Sequence, residues 1–204
     1  MSVVVILGSC SWIYFTQFRA PQHDASLHSY IGKVLAQEAA RLIGKKGLIV
    51  TISIETKGWP ELETQLQAFK ATLKKLGDYE VREYEMDTKD QPKYGVGTGL
   101  SGRRYIRTVK KNENADLFVS FVGAPNFSKE EVAALAKKPR LIVESRSGDN
   151  LPGLFEDHLV EVAVVSRFEF PAPVRETPRS PEDWFTKRYQ IINAETAKAL
   201  VKEE

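Results

Sequence analysis

Residues 48–54 read Leu48-Ile49-Val50-Thr51-Ile52-Ser53-Ile54, a continuous apolar run rich in β-branched residues that stops at the charged residues Glu55 and Lys57. A run of this length and branching is a strand buried on both faces, the usual condition of a parallel sheet whose crossover helices cover each side. Asp116-Leu117-Phe118-Val119-Ser120-Phe121-Val122 repeats the pattern. Working outward, Ser26 can cap a helix with apolar positions Tyr30, Ile31, Val34, Leu35, Ala39 and Leu42, closed by Gly44-Lys45-Lys46-Gly47. Pro60 opens a second helix with Leu62, Leu66, Phe69, Leu73 and Leu76 on one stripe and Gly77 at its end. Tyr79 to Glu85 alternates as a more exposed strand, and a polar loop over Met86 to Gly99 leads to a helix over Leu100 to Lys111. Ser128 with Glu131 is a capping-box signature for a helix through Ala136. Arg140 to Glu144 is a strand, Leu151 to Asp157 a short helix and Leu159 to Val165 a last strand.

This alternation predicts an α/β domain of three layers, a parallel five-stranded sheet in the order 2-1-3-4-5, flavodoxin-like or Rossmann-like. Residues 26–167 form the domain on this reading. A stretch with Phe168, Phe170, Pro171, Pro173 and Pro178 follows, then a short helix from Pro181. Residues 168–204 are therefore read as a proline-rich and aromatic strap, laid over the domain itself or over a partner.

A length of 204 residues suits one such domain with appendages, and an apolar fraction of 42% with 27% charged residues is that of a globular chain. The net charge is +2, and the lysine pairs fall at the ends of predicted helices, where they complement the helix dipole. A nucleic-acid binder would carry a basic stripe, so no nucleic-acid partner is expected. The single cysteine, Cys10, excludes an intrachain disulfide and a multi-cysteine metal site.

Residues 3–18, VVVILGSCSWIYFTQF, carry no charge, and Arg19 follows them. The run falls a little short of the roughly 20 residues that cross a bilayer, so three readings stand. It is a signal anchor forming a single transmembrane helix over residues 1–19, with residues 20–25 as linker. Alternatively it is a lipoprotein signal around Leu7-Gly8-Ser9-Cys10, or it is a buried strand or helix of the domain. The anchor reading places the protein in the cell membrane.

In an open parallel sheet, ligands bind beyond the carboxyl ends of the strands, near the point where strand order reverses. The residues expected there are Glu55, Thr56, Lys57 and Trp59 after the first strand and Asp87 with its loop after the second. Gly123, Ala124 and Pro125 follow the third, and Glu144, Ser145 and Arg146 the fourth. Acidic, basic and aromatic groups would converge, as a polar small-molecule site requires. Ordinary solvated strand ends are the alternative. In the loop around Gly95, Gly97, Gly99, Ser101, Gly102, Arg103 and Arg104, glycines precede a helix start carrying two arginines. Such a loop can bind an anion or meet a partner's carboxylates, or simply be structural. Its spacing is neither that of a dinucleotide fingerprint nor that of a P-loop. His23, His28 and His158 lack metal-ligand spacing, and no Gly-x-Ser-x-Gly elbow exists. No catalytic residue, metal or cofactor is assigned, and the chain is read as noncatalytic.

The stretches IGKVLAQEAARLIGKKGLIVTISIE (Ile31–Glu55), ELETQLQAFKATLKKLG (Glu61–Gly77) and NADLFVSFVGAP (Asn114–Pro125), in that order of elements, resemble one lobe of the periplasmic sugar-binding proteins, the type I periplasmic binding protein-like family. The resemblance extends over roughly Ile31 to Arg167. It implies a binding module outside the cytoplasmic membrane. Members of that family clamp a ligand between two lobes, whereas this chain has length for one. A partner or a homodimer would then supply the second wall. Two functions follow: a membrane-anchored solute-binding or sensing module, or an accessory subunit of a membrane complex.

Overall fold

The computed structural model describes residues 24–86, 100–133, 135, 138–145, 151–167 and 178–200. The expected anchor, Asp87, Gly97, Gly99, Arg146, Phe168 and Phe170 lie outside the described residues. Among the described residues, no helix is long and apolar enough to cross a membrane.

Chain order runs α1 (Ala25–Ile43), β1 (Lys46–Ile54), α2 (Pro60–Leu76), β2 (Asp78–Met86), α3 (Gly102–Lys111), β3 (Leu117–Ser120) and α4 (Lys129–Ala133). It continues with β4 (Leu141–Ser145), α5 (Leu151–Glu156), β5 (Val162–Ser166), α6 (Pro181–Arg188), β6 (Tyr189–Asn193) and α7 (Ala194–Leu200). The strands form one sheet in the order β2-β1-β3-β4-β5-β6. The first five are parallel, in the predicted 2-1-3-4-5 order. The predicted count of five is corrected to six, because β6 pairs antiparallel with β5, from Ser166↔Tyr189 to Val162↔Asn193. Its sequence, YQIIN, is short and follows α6 without a loop, so no turn signal marks it.

β1 is the hub. It pairs with β2 over its whole length and with β3 on the other side, and from Leu48 to Ile54 every residue is buried. Helices lie on opposite faces of the sheet. Phe118 of β3 meets Tyr105 of α3 edge to face at 5.8 Å, while Phe121, three residues on, meets Phe69 of α2 at 5.5 Å. β2 is an edge strand, and its charged residues remain exposed, with Lys70 of α2 paired to Glu83 at 2.6 Å. Such a charged edge discourages a further strand from adding.

Local signals explain the helix ends. Asp24, not the expected Ser26, caps α1, accepting the Leu27 N–H at 3.1 Å. The Ser26 hydroxyl donates to the same carboxylate at 2.8 Å. A carboxylate suits the positive end of a helix, and these hydrogen bonds, Ser26 first and Leu27 second, hold Asp24 below the usual carboxylate range. The Ser128–Glu131 capping box forms as expected, at 3.2 and 3.0 Å, but α4 ends at Ala133 instead of running through Ala136. α3 starts at Gly102, not Leu100, because Ser101 accepts the Arg104 N–H and serves as its cap.

α1 and α2 cross in close contact. A side chain at Gly32 would bring its Cβ within 2.2 Å of the Gln65 carbonyl oxygen, so the backbones approach as only glycine allows. Beside this contact the buried Gln65 Nε2 lies 3.1 Å from His28 Nδ1. In the same stretch of α1, α6 packs through Tyr30 and Phe185, whose ring centroids are 5.4 Å apart.

Gly32→Ala is expected to cost about 1–3 kcal/mol through overpacking, read by denaturant unfolding; an unchanged midpoint would mean that α1 and α2 do not cross here. The Tyr105 hydroxyl is buried and has no hydrogen-bond partner among the described residues. A buried unsatisfied group costs about 1–3 kcal/mol, so Tyr105→Phe should leave stability unchanged or raise it, and a clear loss would reveal a partner for that hydroxyl.

Candidate functional site

The parallel strands β1 to β5 present their carboxyl ends along one edge of the sheet. Strand order reverses at β1, which leads to β2 on one side and pairs with β3 on the other, and such a reversal is where ligands bind in open α/β sheets.

After β1 the chain turns sharply. Glu55 is exposed, Thr56 half-buried and Lys57 exposed, and Gly58 takes a φ of 91°, in the left-handed region. The Trp59 N–H donates to the Thr56 carbonyl at 2.8 Å, leaving the Trp59 side chain 46% exposed just before α2. After β3 the turn is fixed from inside: the buried Ser120 hydroxyl donates to the Gly123 carbonyl at 2.6 Å and accepts the Val122 N–H at 3.4 Å. Gly123 has a φ of 92°. The Phe121 N–H donates to the Ile52 carbonyl at 2.9 Å, tying this turn to the end of β1. β4 ends in Glu144 and Ser145, each 6% exposed. β1, β3 and β4 are neighbours, and strands lie about 4.8 Å apart, so Thr56, Gly123 and Glu144 fall within a front roughly 10 Å wide.

The structure thus brings together Glu55, Thr56, Gly123 and Glu144 on one edge, with Lys57 and Trp59 a turn away. Asp87 and Arg146 lie outside the described residues. The serines Ser53 and Ser120 were passed over as strand residues, yet both are buried polar groups toward this edge, as is the expected Ser145. Hydroxyls inside otherwise apolar runs were the signal.

The Arg-rich segment has structural employment. The Gly102 N–H donates to the Asn126 carbonyl, and the Asn126 N–H to the Leu100 carbonyl, each at 2.8 Å. A Cβ at Gly102 would meet Glu131 Oε2 at 2.5 Å, so the start of α3 is pressed against the loop that follows β3. Arg103, 84% exposed, has its Nε 4.0 Å from Glu131 Oε1, and Arg104 is half-buried with interactions of its own. Gly97 and Gly99 lie outside the described residues. Among the described residues no group of three or more His, Cys, Asp or Glu side chains could hold a metal ion. A cavity of about 690 Å³ opens at the opposite edge of the sheet, where Lys46, Asp116 and Arg140 precede or begin β1, β3 and β4.

No protein-family model matches the sequence, and no curated protein matches it. Solved structures do. The arabinose-binding protein AraP of Geobacillus stearothermophilus superposes with a TM-score of 0.56 at 12% identity, over 84% of this chain and 62% of its own. A sugar-binding protein of a sugar ABC transporter from Bacillus halodurans gives 0.55 at 14% identity, over 83% and 63%. The XylFII–LytSN complex gives 0.53 at 13% identity, over 82% and 60%. This chain therefore spans about three fifths of the length of the proteins it matches.

Ser120→Ala removes the hydroxyl that holds the Gly123 turn; a loss of about 1 kcal/mol and faster amide exchange over residues 121–124 are expected, and unchanged exchange would show that the turn is held otherwise. The five parallel strands, their order and the superpositions agree, and the domain has a type I periplasmic binding protein-like fold.

Proposed function

We propose that this domain is a noncatalytic module that binds a small polar solute of the sugar class at the carboxyl edge of the sheet. The membrane anchor of residues 3–18 would hold it on the outer side of the cell membrane. The observation that carries the reading is the composition of that edge: Thr56, Gly123, Glu144 and Ser145 at the ends of three adjacent strands, with the half-exposed Trp59 beside them. Sugar hydroxyls need fixed acceptors and donors, because a buried polar group left unpaired is costly. The apolar face of a sugar ring packs on an aromatic side chain. Folds of this kind carry such ligands in AraP and in the Bacillus halodurans protein. The chain supplies one wall of such a site, and a second copy or a partner would supply the other.

The alternative is an accessory subunit of a membrane complex. One observation favours it: the XylFII protein was solved bound to LytSN. Extraction from native membranes in mild detergent separates the two, since a partner in fixed ratio supports the subunit and a lone species the binding protein.

The direct test is thermal unfolding of the full chain against a panel of pentoses and hexoses. A ligand present at 100 times its Kd stabilises by about 2.7 kcal/mol, so a true ligand shifts the Tm clearly. Trp59→Ala should weaken binding tenfold or more while leaving the ligand-free Tm in place, because the side chain is half-exposed. If no sugar moves the Tm, the reading fails.

A further inference from the structure

The amino-terminal edge of the sheet holds a separate feature. The face covered by α3 and α4 is thinly covered: these helices are ten and five residues long, against nineteen and seventeen for α1 and α2. Beside α3 lies the cavity of about 690 Å³, within the roughly 300–1,000 Å³ usual for small-molecule sites. Its apolar wall comprises Ile43, Ile106, Val109, Phe118 and Leu135. Phe118 is buried, and the other four remain half-exposed, an arrangement that leaves apolar surface in contact with water unless something fills the space.

Charge around the mouth is unbalanced. Lys46, Lys110, Lys138 and Arg140 face Glu113 and Asp116. The Asp116 carboxylate is already engaged, accepting the Leu48 N–H at 2.8 Å. Arg140 donates to the Leu42 carbonyl at 2.7 Å and Lys138 to the Asp157 carbonyl, so two of the cations are anchored by the backbone, and neither forms an ion pair among the described residues. Lys46 and Lys110 form no ion pair among the described residues. In a concave, partly apolar site this excess of positive charge attracts an anion more strongly than it would on a flat surface.

We propose that this cavity binds an amphipathic anion, with an apolar body against Ile106, Val109 and Phe118 and an acidic head at the lysine rim. The site stands at the edge opposite the proposed sugar-class site and does not depend on it. A plain helix-dipole role for Lys110 predicts no ligand at all, which makes the two accounts separable.

The test uses the full chain and a matched pair of probes with one aromatic body and opposite charge, 1-naphthalenesulfonate and 1-naphthylmethylammonium, titrated by calorimetry. Saturable one-site binding of the sulfonate, at least tenfold tighter than that of the ammonium probe, is expected. Lys46→Glu with Lys110→Glu, both exposed positions that leave the fold intact, should weaken the sulfonate tenfold or more. Val109→Trp, which sets an indole where the naphthalene body would lie, should weaken it tenfold or more. The idea is overturned if the sulfonate does not bind saturably, if the two probes bind alike, if charge reversal leaves binding unchanged, or if a folded Val109→Trp chain binds as tightly as the original. Added sugar should not displace the probe.

Discussion

Burial of β1 on both faces is the constraint on which the rest depends. From Leu48 to Ile54 its side chains are withdrawn from water, so each face of the strand must meet a layer of helices. A parallel neighbour can be reached only through a crossover, and α2 supplies one on one face as the path through α3 supplies one on the other. The crossovers reverse the direction of chain progress at β1, and the carboxyl edge at that reversal is where the topology rule places a ligand. Gly32 matters for the same reason, since α1 and α2 cover β1 together only if they can approach to backbone contact.

That constraint is why so much of the fold was legible. The apolar runs at Leu48–Ile54 and Asp116–Val122 cannot be half-buried strands, so a parallel sheet covered on both faces followed from them, and the 2-1-3-4-5 order with it. What escaped had weaker local physics. β6 is five residues, only Ile192 of which is buried, and it continues straight from α6, so neither periodicity nor a turn announced it. The cap of α1 was misplaced because Ser26 and Asp24 are both good caps and only their mutual hydrogen bond shows which serves the other.

The candidate site was legible as a location and less so as a constellation. The topology rule pointed to the strand ends, and Glu55, Thr56, Gly123 and Glu144 lie at the ends of β1, β3 and β4. It did not anticipate Ser120, whose hydroxyl is spent on shaping the Gly123 turn, nor that a Cβ at Gly102 would crowd the Asn126 carbonyl, Phe127 and Glu131. The cavity at the other edge was out of reach for sequence reasoning, since it arises from helix lengths and from charges brought together across more than ninety residues, from Leu42 to Arg140.

The two edges therefore divide the chemistry: polar groups, fixed turns and an exposed indole at one, an apolar hollow with a cationic rim at the other. The central claim is that the carboxyl edge is where a sugar-class ligand sits. Hydrogen–deuterium exchange of the full chain with and without a pentose at saturating concentration tests it most directly. Protection confined to residues 55–59, 121–126 and 144–145 is the result expected here. No protection with any sugar, or protection at the amino-terminal edge alone, would contradict it.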